Sequence, residues 1–168
     1  RIFLQIFFLL GLTQIIDLRI SSIDLDFFDN LLKNKFFNIF FVVFCLVTVL
    51  NGYNFMDGLN GFVGGQILLI LLSIFSLYFV SNLTLDYNIY LIIKSLLPVL
   101  ILFFIFNLFG LCFLGDNGTY IFSIVISYIV IVFINSSNNQ ISPILGASYL
   151  WYPAFENLYT ILRRAFNK

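Results

Sequence analysis

Long apolar runs alternate with short polar segments along the whole chain. A helix needs ~20 apolar residues to cross the hydrocarbon core of a bilayer, with ~17 as a workable minimum. The pattern therefore predicts an all-α fold, a polytopic transmembrane helix bundle of about six spans that forms a single domain over residues 1–168. The predicted spans are 2–16, 36–53, 62–80, 89–112, 120–134 and 141–159.

Two of these spans have special features. The first is slightly short, and Arg1 at its start is expected to reach back to the membrane interface. The last contains Pro143 and Pro153 and is expected to be bent, because proline removes a helical hydrogen bond.

The loops between spans alternate between the two membrane faces, because successive spans reverse direction. The loops at 54–61 and 113–119 therefore share one face. The other face receives the loops at 17–35, 81–88 and 135–140, and the acids of 17–35 are expected in a solvated loop. The basic residues at the chain ends place 54–61 and 113–119 in the cytoplasm, although those within 17–35 oppose this orientation. We expect a multi-pass protein of the inner (plasma) membrane.

Composition supports lipid as the solvent. Apolar residues make up 61% of the chain and charged residues 10%, against about 25% charged in soluble domains. The mean hydropathy is +1.06. Eight basic residues balance eight acidic ones, which argues against nucleic acid as a partner. The chain has no histidine, so any catalysis must depend on carboxylates, amides and a bound ion.

The segment 51–61 lies between two spans and has the sequence NGYNFMDGLNG. A helical turn would place Asn54 and Asp57 on one side, and Asn60 would extend the same row. Asn, Asp and Gly are also ordinary turn residues, so a helix cap followed by a turn is the alternative. Because an acid at membrane depth costs about 2.5–3.5 kcal/mol, we favour a functional role for this segment.

The segment 113–118 has the sequence FLGDNG and again places a lone acid, Asp116, between glycines at the junction of two spans. Since the two loops share a face, Asp57 and Asp116 can lie opposite each other. Hard oxygen ligands suit Mg²⁺, which keeps several waters and bridges carboxylates to substrate phosphates. This chemistry fits phosphoryl transfer better than hydrolysis of an amide or ester.

Together these segments resemble the signature loops of the polyprenyl-phosphate N-acetylhexosamine-1-phosphate transferases, glycosyltransferase family 4. This superfamily includes the phospho-MurNAc-pentapeptide transferase of peptidoglycan synthesis and the WecA-type enzymes. A third match resembles the closing span of the O-antigen branch: SP at 142–143, WYPAFE at 151–156 and RR at 163–164.

The resemblance implies roles for six residues. Asp116 matches the acid that coordinates Mg²⁺ (or Mn²⁺ in its place), and Asn54 matches an amide that shares the ion. Asp57 matches an acid needed near the site, so Asp57 and Asp116 are the catalytic candidates. The nucleotide-binding candidates are Asn60, Phe113 and Gly58, with Asn60 at the position that reads the uracil and Phe113 at the position of the aromatic that stacks on it.

The implied activity is a Mg²⁺-dependent transfer of N-acetylhexosamine-1-phosphate from a UDP-sugar to undecaprenyl phosphate. This is the first lipid-linked step of cell-envelope polysaccharide synthesis, as in lipopolysaccharide O-antigen. The family's Asp-Asp motif would lie before Arg1 and its histidine-bearing loop after Lys168. We therefore expect the chain to be incomplete at both ends, and inactive when expressed alone.

Two other functions stay open on the sequence alone. The chain could be part of a transporter or channel, in which intramembrane Asn and Asp line a pathway. It could also be a non-catalytic relative that binds lipid phosphate. The polar residues cluster at span ends instead of mid-span, which favours the enzyme over a transport pathway. The sugar, the polymer pathway and the formation of a homodimer are left open.

Overall fold

The computed structural model describes residues 2–80, 86–136 and 141–166. Arg1, Lys168 and most of the two loops predicted at 81–88 and 135–140 lie outside these residues. Within the described ranges the chain forms seven α-helices and no strand, which confirms the all-α prediction. The helices are α1 (Ile2–Ile15), α2 (Asp26–Leu32), α3 (Lys35–Met56), α4 (Phe62–Val80), α5 (Tyr87–Leu108), α6 (Gly115–Ser136) and α7 (Pro143–Phe166).

Four of the described helices, α3 to α6, are long and apolar enough to cross a membrane. The helix α1 is apolar but has only 14 residues. In contrast, α7 has 24 residues but is less apolar than the four spans. The predicted number of about six spans is thus approximate, whereas the predicted fold class, an all-α transmembrane bundle, agrees with the structure.

The helix α3 lies at the centre of the bundle and packs against α1, α6 and α7. Leu9 of α1, Leu46 of α3 and Ile131 of α6 belong to one buried apolar cluster. A second cluster joins α3 and α6 to the α4–α5 hairpin and includes Ile70 and Ile93. Many other large apolar side chains are exposed, as expected for helices whose outer faces contact lipid.

The helices α3 and α7 make their closest approach at Gly52. A Cβ atom at this position would overlap the backbone carbonyl of Pro153. The helix α7 continues on both sides of Pro153 and begins at Pro143, where the missing N–H costs no hydrogen bond. The absence of a side chain at Gly52 therefore sets the distance between the two helices.

At the far end of the bundle, residues 17–25 fold back onto the helices. The Asn38 side chain binds both backbone groups of Ile20 and the carbonyl of Leu32. The Asn135 side chain accepts a hydrogen bond from the Ser21 N–H and donates one to the Arg19 carbonyl. The acids at 17, 24 and 26 are exposed, as predicted for a solvated segment. The segment is nevertheless ordered, because 26–32 form α2 and the side chains of Asn38 and Asn135 hold the backbone of 19–21.

We predict that Gly52→Ala destabilises the protein by about 1–3 kcal/mol, because the added methyl group must push α7 away from α3. The measurement is thermal unfolding of the purified protein in detergent. Gly11→Ala in α1 is the matched control, since a Cβ there would meet no atom within 4 Å. We expect it to be neutral or stabilising. Equal loss of stability in both variants would show that the close packing of Gly52 against Pro153 does not cause the effect.

Candidate active site at the ends of α3 and α6

The structure brings Asn54 and Asp116 into direct contact. The Asn54 Nδ2 donates a hydrogen bond of 3.1 Å to Asp116 Oδ1. This confirms that the segments 54–61 and 113–119 lie at one end of the bundle, as the alternation of spans predicts. The contact exists because α3 runs towards this end and α6 starts from it.

Both helices extend further than predicted. The sequence places the end of the second span at Tyr53, whereas α3 continues to Met56 and includes Asn54. The segment 113–119 was predicted as a loop, but α6 already begins at Gly115. Asp116 therefore occupies the first turn of a helix, where the partial positive charge of the helix N-terminus stabilises a carboxylate.

Asp57 caps the C-terminus of α3 and faces the start of α6. Its backbone N–H binds the Tyr53 carbonyl at 3.2 Å. Partial burial raises the pKa of Asp57, and the nearby Asp116 carboxylate raises it further. The Gly115 backbone N–H, at the start of α6, lowers the pKa of Asp57 and so acts in the opposite direction. Two acids thus face the same helix N-terminus and repel each other.

Thr119, one turn after Asp116, also belongs to this cluster. Its hydroxyl donates to the Asp116 carbonyl at 2.9 Å and lies 3.5 Å from the Asn54 Nδ2. The side chain is fully buried. Sequence reasoning missed this residue, although its spacing of three from Asp116 places both on one face of α6.

The donor set fits a hydrated divalent cation. Within the described residues no three His, Cys, Asp or Glu side chains form a group that could hold a metal ion. Two carboxylates and an amide are few ligands for a protein cage, but they suit Mg²⁺, which usually keeps several waters. A 180° flip of the Asn54 side-chain amide would direct its Oδ1 towards the ion, without movement of the backbone. Magnesium binding by Asp116 and Asn54 remains a prediction.

The nucleotide-binding candidates lie beside this cluster. Asn60 does not extend the row of Asn54 and Asp57, so that prediction was wrong, because α3 ends at Met56 and the chain turns over 57–61. Asn60 instead lies against Gly110, where a Cβ atom would come within 3.3 Å of the Asn60 Nδ2.

Gly58 and Phe113 both face outwards. Gly58 is exposed, and a Cβ atom at this position would meet nothing within 4 Å. The Phe113 ring is 68% exposed, which leaves its face available for a ligand. No contact in the structure tests the proposed roles of Gly58, Asn60 and Phe113 in nucleotide binding, and these stay predictions.

Asn107 is a second residue that sequence reasoning missed. It lies in the last turn of α5 and is buried. Its Oδ1 accepts a hydrogen bond of 2.7 Å from the Gly61 N–H, and its Nδ2 donates one of 2.7 Å to the Cys112 carbonyl. The signal was present, because a lone amide inside the apolar run 89–112 is costly unless it has partners.

The end of α7 also reaches the site. The Arg164 guanidinium lies over the Phe55 ring at 5.1 Å from its centroid. Phe55 directly follows Asn54, so this contact brings one positive charge to the end of the bundle that holds Asp57 and Asp116. Arg163 stacks on Tyr159 within α7 itself, at 5.8 Å.

The raised pKa of Asp57 generates a prediction about pH. In the folded protein this carboxyl holds its proton to higher pH than in the unfolded chain, where its ordinary value is 3.8. The free energy of unfolding should therefore fall as pH rises from 3.8 through the raised pKa, and then level off. We expect Asp57→Asn to remove this part of the decline in the free energy of unfolding. The measurement is thermal unfolding as a function of pH, without divalent cations.

Asp17→Asn is the control, because Asp17 is exposed at the far end of the bundle and pairs only with the nearby Arg19 among the described residues. The part of the decline that Asp57 causes should persist in this variant. A profile of Asp57→Asn that matches the wild type would contradict the repulsion between the two carboxylates.

Comparison of the sequence with known protein families identifies the family of this chain. The family model of glycosyl transferase family 4 matches residues 1–134, which include Asn54, Asp57 and Asp116. No curated protein and no solved structure matches the chain. The matched region ends before α7, so the resemblance of α7 to the O-antigen branch stays a prediction. With most of its length matched and with four helices able to span a bilayer, the chain belongs to glycosyl transferase family 4 and is a membrane transferase.

Proposed function

We propose that the protein transfers N-acetylhexosamine-1-phosphate from a UDP-sugar to undecaprenyl phosphate, at the cytoplasmic face of the inner membrane. A phosphate oxygen of the lipid attacks the phosphorus that carries the sugar. The bond from this phosphorus to the bridging oxygen of the diphosphate breaks, and UMP leaves with both electrons of that bond. The products are UMP and a lipid-linked diphosphosugar, the first intermediate of an envelope polysaccharide. Membership of the family and the convergence of Asn54, Asp57 and Asp116 support this proposal.

Asp116 and Asn54 would hold Mg²⁺, or Mn²⁺ in its place. When bound, the ion neutralises charge on the diphosphate and so makes it a better target for an anionic nucleophile. Asp57 adds a second negative charge beside Asp116, which strengthens the attraction for a cation. The Gly115 N–H stabilises the Asp57 carboxylate from the same first turn of α6 that carries Asp116.

The nucleotide would bind on the exposed surface next to the two acids. The Asn60 amide can donate and accept hydrogen bonds at once, which complements the edge of a uracil ring. The exposed ring of Phe113 offers a stacking surface for the base. Gly58 lacks a side chain, so a phosphate or ribose can approach its backbone closely.

The polyprenyl chain would bind in an apolar cavity between α3, α6 and α7. The cavity measures about 490 Å³, and its α3 lining runs from Phe41 to Val49. Val49 lies five residues before Asn54, or about 8 Å along the helix. A lipid with its phosphate at the acids could therefore lay its chain directly into the cavity, which reaches towards the far face at Phe41.

Transfer of radiolabel from UDP-N-acetylglucosamine to undecaprenyl phosphate by the full-length protein tests this proposal. We expect Mg²⁺-dependent product, and a fall of about a hundredfold or more for Asp116→Asn, because a neutral amide cannot compensate the cation. Asp24→Asn at the far end of the bundle is the control and should retain activity. Undiminished product from Asp116→Asn would remove Asp116 from the mechanism, and no product from the wild type would favour a non-catalytic protein.

A second prediction concerns the lipid. Ala147 lines the cavity, so Ala147→Phe should fill part of it. We expect a higher KM for undecaprenyl phosphate and an unchanged KM for the UDP-sugar. Ile121→Phe adds a ring on an exposed face of α6 outside the cavity and should change neither constant. An unchanged KM for the lipid in Ala147→Phe would place the polyprenyl chain elsewhere.

A further inference from the structure

The buried amide of Asn107 joins the two turns that carry the nucleotide-binding candidates. Both of its polar atoms are engaged at 2.7 Å, one with the Gly61 N–H and the other with the Cys112 carbonyl. The side chain is 6% exposed, so water offers little replacement for these partners. Loss of the amide would leave a backbone donor and a backbone acceptor unpaired next to the site.

The backbone around Asn107 is built to bring these groups within reach. The helix α5 ends in a Schellman motif, in which the Gly110 N–H binds the Asn107 carbonyl at 3.0 Å and the Leu111 N–H binds the Phe106 carbonyl at 2.9 Å. Gly110 has a φ of +69°, which reverses the chain and returns Cys112 to the Asn107 side chain. Gly61, with a φ of +78°, makes the corresponding turn before α4.

The two groups that Asn107 binds are direct neighbours of two candidate residues. Gly61 follows Asn60, the candidate for reading the uracil, and Cys112 precedes Phe113, the candidate for stacking on it. We propose that Asn107 is a positioning residue, which fixes the separation of Asn60 and Phe113 and so sets the affinity for the uracil nucleotide. This proposal rests on the proposed function.

The acids are held by different contacts. Asn54 binds Asp116 directly, and the Asp57 N–H binds the Tyr53 carbonyl, so neither acid depends on the Asn107 side chain. Loss of Asn107 should therefore weaken nucleotide binding more than it slows the chemical step. If Asn107 had only a structural role, its replacement would lower stability but would not raise KM while leaving kcat nearly unchanged.

The test compares Asn107→Leu and Asn107→Asp with Asn38→Leu in the full-length protein. Asn38 is a matched control, because its buried side chain also binds backbone groups of two segments, but at the far end of the bundle. Both leucine variants should lose thermal stability. Only the Asn107 variants should raise the KM for the UDP-sugar, by about tenfold, with kcat nearly unchanged. Asn107→Asp keeps the oxygen that accepts from the Gly61 N–H and loses the N–H that donates to the Cys112 carbonyl. This variant replaces Asn107→Leu in the test if the leucine variant fails to fold.

A distance measurement tests the same idea without activity. Spin labels at positions 59 and 111, both exposed, would be introduced after replacement of Cys45 and Cys112 by serine. We expect a narrow distance distribution in the parent protein and in Asn38→Leu, and a broad or shifted one in the Asn107 variants. An unchanged distribution would overturn the proposal, and so would a broadened distribution with an unchanged KM. If the wild type binds UDP but transfers no sugar, the proposed function fails, and the dissociation constants for UDP then decide the role of Asn107 in the same way.

Discussion

The meeting of the C-terminus of α3 with the N-terminus of α6 is the constraint on which the site depends. Acids repel each other and are costly near hydrocarbon, so two of them stay together only where something offsets their charge. The N-terminus of α6 does this with its partial positive charge and with the Gly115 N–H, which lowers the pKa of Asp57. Asn54, in the last turn of α3, completes the arrangement through its bond to Asp116. The remaining repulsion between the two carboxylates would favour a cation bound between them, as the proposed function requires.

The rest of the bundle keeps these two helix ends in register. Gly52, two residues before Asn54, lets α7 pack directly against α3. At the opposite end, Asn38 and Asn135 attach the chain between α1 and α2 to α3 and α6. Asparagine side chains thus hold the irregular segments at both ends of the bundle, and Asn107 does so at the site. Apolar packing fills the space between the two ends, where lipid provides no hydrogen-bonding partners.

Much of this arrangement could be predicted from the sequence. Apolar runs separated by polar loops give the helices, and the alternation of spans places Asp57 and Asp116 at one end. Helix ends were less certain, because glycine and asparagine are compatible with a turn, a cap or the first residues of a helix. For this reason the sequence predicts a loop at Asp116, which lies in the first turn of α6, and a helical position for Asn60, which lies beyond the end of α3. The sequence does place Thr119 on the face of Asp116 and Asn107 alone in an apolar run, but their contacts with Asn54 and Gly61 join segments far apart in the chain, which the sequence pattern does not contain.

In the proposed function, Asn54, Asp57 and Asp116 form one site for a divalent cation. Electron paramagnetic resonance of Mn²⁺ added to the purified full-length protein measures this directly, since bound Mn²⁺ loses the sharp signal of the free ion. We expect Mn²⁺ binding that Mg²⁺ competes away, that weakens as the carboxyl groups become protonated, and that is lost in the double variant Asp57→Asn, Asp116→Asn. Unchanged Mn²⁺ binding in that double variant would show that these residues do not hold the ion.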